Sequence, residues 1–148
     1  MALEANKALV RRLYDEIFTI GDIAVADDLL ATEYVGYDPP NAPTPMQGPA
    51  AMKQSAERLG RAFPDRRYTI EALIAEGDFV AARVSLAATH TDPVFDLAPT
   101  GRRIAISGTV TYRIADGRIA ASWGNWDNLG LMRQLGLLAD STRPNESR

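Results

Sequence analysis

Residues 102–127 read RRIAISGTVTYRIA, then Asp116-Gly117, then RIAASWGNWD. Counting by twos, Ile104, Ile106, Val110, Tyr112 and Ile114 share one side of the first run, as strand side chains alternate between faces. Asp116-Gly117 is the strongest hairpin signal in the chain, because both residues tolerate the left-handed backbone that a two-residue turn requires. The same count carried through 118–127 places Ile119, Ala121, Trp123, Asn125 and Asp127 together. Two long alternating runs joined by a tight turn predict an antiparallel sheet with one covered face.

Upstream, residues 68–75 alternate through Tyr68, Ile70, Ala72 and Ile74. Glu76-Gly77-Asp78 links them to 79–89, where Val80, Val84 and Leu86 share a face that His90 continues. Residues 91–101 hold two prolines and read as loop. The N-terminal half is helical instead. Leu9, Leu13 and Ile17 lie four apart, as do Val10, Tyr14 and Phe18, so residues 4–20 form one amphipathic helix that Gly21 ends. Asp22 is placed to cap a second helix over 24–30, and a brief strand follows at 33–37. Residues 38–48 carry four prolines in eleven positions and form the longest irregular stretch, the kind of loop that lines binding sites. Gly48-Pro49 opens a third helix, buried through Met52, Ala56, Leu59 and Phe63 and stopped by Pro64. A last helix is expected over 128–138, followed by a polar tail. The reading is one α+β domain over 1–148, ordered from about 4 to 138, with helices on one face of a curved sheet that encloses a cone-shaped pocket.

Composition sets limits on chemistry. The chain has 148 residues, 46% hydrophobic and 24% charged, which suits a globular domain. Sixteen basic against nineteen acidic residues give a net charge of −3, the wrong sign for a nucleic-acid partner. Zero cysteines remove disulfides and thiolate chemistry, and one histidine leaves little for a metal site or a His-paired nucleophile, so no metal is expected. Lys7, Arg11 and Arg12 interrupt any apolar leader, and no apolar run approaches the roughly 20 residues of a membrane span. A soluble, cytoplasmic protein without a membrane partner is the expectation.

Parity assigns the pocket. Tyr14, Phe18, Tyr37, Met52, Phe63, Tyr112 and Trp123 form its apolar wall, with Asp127, His90 and Asn125 as polar intruders. An apolar cavity with a few convergent polar groups is the default ligand site. Asp127 is the candidate acid/base, since a carboxylate in a greasy pocket is pushed toward neutral pKa. Its position directly before the last helix equally suits an N-cap. His90 is either a proton relay or a strand-end side chain bonded to a loop, and Asn125 either an oxyanion donor or a satisfied rim group. Trp126, one step out of phase, is expected on the opposite face, as a subunit contact. The pairs Arg66-Arg67 and Arg102-Arg103 read as solvated strand ends.

Together these segments resemble the SnoaL-like polyketide cyclase family of the NTF2-like superfamily. The carrying stretches are residues 6–14 (NKALVRRLY), Thr89-His90-Thr91 with Pro99-Thr100-Gly101-Arg102, and residues 113–119 (RIADGRI). Trp123, Asp127-Asn128-Leu129-Gly130-Leu131 and Gln134-Leu135-Gly136 complete the set, so the likeness spans about residues 6–138. It implies a cone-shaped α+β barrel, usually dimeric or higher, and ring closure by intramolecular aldol condensation without cofactor. Asp127 matches the family's acid/base aspartate, and His90 its recurring Thr-His pair. Where the family often carries a histidine after the first strand's Tyr-Val, this chain has Gly36-Tyr37-Asp38. The expected substrate is a small, apolar, carbonyl-bearing molecule, and the expected assembly a homodimer or homotetramer through the outer sheet face. A non-catalytic lipophilic-ligand domain and an epoxide hydrolase or isomerase of the same fold are the alternatives.

Overall fold

The i, i+4 spacing of Val10, Tyr14 and Phe18 folds as one continuous helical rod. Helix α1, Ala2–Arg12, runs directly into a wider π-helical segment, Leu13–Ile20. Val10, Leu13, Tyr14 and Ile17 are buried along it. Gly21 stops the rod at φ +88°, donating its N–H to the Glu16 carbonyl. Arg66 reaches the same end from across the molecule. Its guanidinium donates to the Phe18 and Phe63 carbonyls and, at 3.2 Å, to the Thr19 carbonyl. Arg66 is therefore a partly buried cap on orphan helix carbonyls and not a solvated strand end. Asp22 makes no side-chain capping bond to the short 3₁₀ turn Ile23–Val25 that precedes α2, Ala26–Leu29.

This computed structural model describes residues 2–94 and 96–138; the polar tail expected after 138 lies outside them. The remaining elements are β1 (Leu30–Tyr37), β2 (Met46–Gln47), α3 (Gly48–Ala62), β3 (Arg67–Glu76), β4 (Phe79–Thr89), β5 (Arg103–Ala115), β6 (Arg118–Trp126) and α4 (Asn128–Gln134). The strands form one six-stranded sheet in the order β2-β1-β6-β5-β4-β3. Strands β3 to β6 make the expected antiparallel meander, whereas β1 runs parallel to β6. Asp116 and Gly117 take φ of 51° and 72° at the β5–β6 hairpin, as a turn with two left-handed residues requires.

Beside an irregular stretch of β1 between Leu30 and Val35, β-bulges on β6 and β3 reset the alternation. On β6, Ile119 faces Ile114 and Ala121 faces Arg113, which leaves Ala120 without an opposite number. One extra residue exchanges the faces of everything beyond it. Ile119 points into the core, and after the bulge so do Ser122, Gly124 and Trp126. The expectation that Trp123, Asn125 and Asp127 follow Ile119 inward is corrected by that residue. On β3, Glu71 plays the same part between the Ile70–Val84 and Ala72–Arg83 pairs. Leu73 and Ala75 pack on the core in place of the expected Ala72 and Ile74, and Ile74 is 67% exposed.

The core lies between the helices and the concave face of the sheet, in two clusters. One gathers Val10, Leu13, Ile17, Leu29, Tyr34 and Val84; the other gathers Phe63, Leu86, Ile104, Ile106, Leu131 and Leu135. Tyr68 and Trp126 pack against both. No helix among the described residues is long and apolar enough to cross a membrane.

Candidate active site

Between the two clusters a chamber of about 170 Å³ remains open. The helical rod supplies Tyr14 and Phe18, whose ring centroids are 5.5 Å apart; α3 supplies Met52, and Phe63 follows it. Tyr112 comes from β5 and Trp126 from β6. Tyr14, Phe18, Met52, Phe63 and Tyr112 thus stand where the sequence places them. Tyr37, Trp123 and Asn125 do not line the chamber. Tyr37 and Trp123 instead stack at 5.9 Å and 12°, with Phe79 beside them, on the outer face of the sheet. Trp126, expected outside, is the tryptophan of the chamber.

Two hydroxyl pairs stand on this largely apolar wall, beside the Ser55 and Tyr68 hydroxyls. Tyr14 Oη and Tyr112 Oη lie 2.7 Å apart, and Tyr34 Oη and Ser122 Oγ 2.6 Å apart. Burial pushes the Tyr14, Tyr34 and Tyr112 phenols above their ordinary value, because an apolar wall penalises the phenolate, and Tyr68 is pushed up to about 12. These phenols keep their protons throughout the physiological range.

The carboxylate of the chamber is Asp38. Register explains it: β1 pairs with β6 so that Gly36 lies beside Ser122, which sends Tyr34, Gly36 and Asp38 inward together. Val35 and Tyr37 alternate outward, contrary to the expected inward Tyr37. Gly124 clears the space, since a Cβ there would meet Asp38 Cγ at 3.2 Å. Asp38 stands where the chamber opens into a vestibule of about 680 Å³ that shares Met46, Ser55, Leu59, Asn128 and Leu131 with it. By surface area Asp38 is exposed to that vestibule. Protein atoms on its other side still withdraw enough water to raise its pKa above the ordinary carboxylate value. Pro39 and Thr44 of the proline-rich loop, with Pro93, Val94 and Asp96 of the second loop, form the vestibule wall.

Asp127 lies elsewhere. Its carboxylate accepts the Gly130 N–H at 2.8 Å as the N-cap of α4, is exposed, and borders a groove on the outer face with Arg67, Ser85 and Ser107. His90 is fully buried behind Phe63, with ring centroids 5.7 Å apart, and does not line the chamber. Its Nδ1 accepts the Thr100 N–H at 3.2 Å and sits 3.0 Å from Thr100 Oγ1, so the ring proton belongs on Nε2. That Nε2 has no partner among the described residues. Asp38, Tyr34, Ser122 and Trp126 escaped the sequence reading. The available signal was the small pair Gly36 and Gly124, a gap in two facing strands that a larger side chain must fill. Among the described residues no cluster of three or more His, Cys, Asp or Glu is arranged to hold a metal ion.

A family model described as SnoaL-like polyketide cyclase matches residues 8–135. The aklanonic acid methyl ester cyclase DnrD of Streptomyces peucetius is 29% identical over 129 residues, covering 86% of this chain and 88% of that protein. Among solved structures, TsrD from Streptomyces laurentii aligns with a TM-score of 0.78 at 29% identity, over 89% of this chain and 98% of its own. AclR from Streptomyces galilaeus, a proposed hydroxylase, aligns at 0.80 with 25% identity, over 93% and 89%. The α+β architecture expected from the sequence is the one present, as a curved open sheet with its helices on the concave side.

Proposed function

Because this chain belongs to the SnoaL-like polyketide cyclase family, we propose that it closes a ring in a small, apolar, carbonyl-bearing substrate by intramolecular aldol chemistry, with Asp38 as the acid/base. The observation that carries the reading is the position of Asp38: it is the acidic residue of the aromatic chamber, at its junction with the vestibule. The Asp38 carboxylate takes a proton from a methylene flanked by carbonyls. The enolate carbon attacks a second carbonyl of the same molecule, a C–C bond forms, and the new alkoxide recovers the proton from the Asp38 carboxyl. Nothing is oxidised or reduced, and the proton balance closes. A raised pKa suits a group that serves first as base and then as acid, a role that supplies about 10²–10⁴ in rate. The aromatic walls hold the chain folded, and such proximity provides a further large share of the acceleration.

AclR, a proposed hydroxylase, shares the fold, so the fold alone does not choose the reaction. What supports acid/base chemistry over ligand holding is Asp38, because a chamber that merely held a lipophilic ligand has no use for a partly desolvated carboxylate. The test is incubation with aklanonic acid methyl ester in D₂O, followed by NMR and mass spectrometry. Ring closure or deuterium uptake at the activated methylene, above the protein-free rate, is expected. Binding of the ester with both rates unchanged would leave only the ligand-holding alternative.

A further inference from the structure

The two hydroxyl pairs of the chamber admit a proton count. Each hydroxyl brings one donor and two acceptor sites. Tyr34 Oη and Ser122 Oγ share one hydrogen bond, which uses one of their two protons. Tyr14 Oη and Tyr112 Oη do the same. Each pair therefore keeps one O–H with no acceptor among the described residues. Asp38, Ser55, Tyr68 and Asn128 also line the chamber, but none of them hydrogen-bonds to either pair, so each pair keeps a donor for a ligand.

Their places differ. A Cβ on Gly36 would meet Tyr34 Oη at 2.5 Å, so the phenol lies across Gly36 toward Ser122. Asp38 lies across Gly124, the next inward position along both strands, and two residues of strand advance about 7 Å. The Tyr34–Ser122 pair and the Asp38 carboxyl therefore occupy adjacent places on one glycine-cleared floor. Tyr112 stands beside Ser122 on the neighbouring strand β5, and Tyr14 reaches Tyr112 from the helical rod.

We propose that the Tyr34–Ser122 pair is the oxyanion-binding element of the chamber: its spare O–H is donated to the carbonyl oxygen that becomes the enolate when Asp38 removes the neighbouring proton. This rests on the aldol reading above and adds the groups that carry the charge. The reaction develops negative charge on two oxygens in turn, the enolate and then the alkoxide, and each hydroxyl pair holds one spare donor. The Tyr14–Tyr112 donor serves the second carbonyl. Preorganised donors aimed at developing charge, in a space poor in water, are the largest single contribution in many enzymes.

The count predicts an unusual mutational pattern. Tyr34→Phe frees the Ser122 proton, and Ser122→Ala frees the Tyr34 proton, so either single change leaves one donor in place. Only the double change removes it. The probe is 4-nitrophenol, a one-ring phenol suited to the chamber, since a cavity of about 150 Å³ admits benzene. The host is Asp38→Asn, which removes the competing anion. Absorbance titration reports how much more tightly the ionised phenol binds than the neutral one. In Asp38→Asn a preference of tenfold or more is expected. Adding Tyr34→Phe or Ser122→Ala alone keeps it within about threefold, and adding both lowers it at least tenfold. A preference that survives the double change even when Tyr14→Phe and Tyr112→Phe remove the other donor, or that is absent from Asp38→Asn, overturns the proposal, as does failure of the phenol to bind. This readout requires no turnover, so it separates from the fate of the aldol reading, which stands or falls on ring closure.

Discussion

The Asp38 carboxyl lies directly over the Cα of Gly124, where an added Cβ would come within 3.2 Å of Cγ and 3.3 Å of Oδ2. The acid of one strand thus occupies the side-chain space of its neighbour. That arrangement exists only because β1 runs parallel to β6 with Gly36 beside Ser122, which puts Asp38 and Gly124 at the same level.

Gly124→Ala is accordingly expected to displace the carboxyl by a few tenths of an ångström or more while leaving the strand intact. Misplacement on that scale is costly to chemistry and cheap for folding. Turnover should fall about tenfold or more, with a stability change within about 1 kcal/mol, the usual range of mild substitutions. Steady-state kinetics beside urea denaturation checks both halves, and equal loss in each would show that Gly124 matters only for packing.

Asp38 also sets a pH signature. Burial raises its pKa in the folded chain, so the folded state holds this proton more tightly than the unfolded one. Its contribution to stability is therefore complete below the ordinary carboxylate value of about 3.9 and is lost as pH rises through the higher folded value. Asp38→Asn, which cannot ionise, should melt above the parent at pH 7, and the gap should close as pH falls below 4. The effect is small because the vestibule leaves Asp38 in contact with solvent. Thermal melts across pH 3–8 read it.

Asp127 has a different signature. As N-cap of α4 it satisfies the Gly130 N–H, and removal of such a cap costs about 0.5–2 kcal/mol. Asp127→Ala should lose that much by chemical denaturation, and Asp127→Asn, which can still cap, much less.

Arg66 ties the end of the helical rod to the loop after α3 through three backbone carbonyls. Replacing it by alanine strands those carbonyls, and each orphaned buried group costs about 1–3 kcal/mol where water cannot reach it. Arg66→Ala is expected to destabilise by about 2 kcal/mol, whereas Arg67→Ala, on an exposed position, should change little. A lysine at 66 should recover only part of the loss, because an ammonium cannot span the three oxygens.

The elements were legible because periodicity survives in them. The four-residue stripe through Tyr14 and Phe18, the period of two on β4 and β5, and the Asp116-Gly117 turn each gave the right structure, and the walls they carry came with them. The reading failed where one residue slipped the count. Ala120 and Glu71 sit in runs whose alternation does not betray a bulge: Ala120, Ala121 and Ser122 are all small, and neither face of that stretch declares itself. Counting from Ile119 sent Trp123 and Asp127 inward; counting back from Trp126 would have reached Gly124 and Ser122. On β1 the inward anchor is Tyr34, fully buried, and the count from it runs through Gly36 to Asp38 and leaves Tyr37 outside. The pairing of β1 with β6 is a contact between distant segments and leaves no local trace, so Asp38 could not be placed against Gly124 before the sheet was assembled.

The central claim is that the reacting carboxylate is Asp38 and not Asp127. Its most direct test is the kcat for ring closure of aklanonic acid methyl ester by the parent, Asp38→Asn and Asp127→Asn, each confirmed folded by circular dichroism. Asp38→Asn should lose about 10²-fold or more, while Asp127→Asn stays within about twofold of the parent. Full activity in Asp38→Asn together with its collapse in Asp127→Asn would contradict the assignment and move the chemistry to the outer mouth of α4.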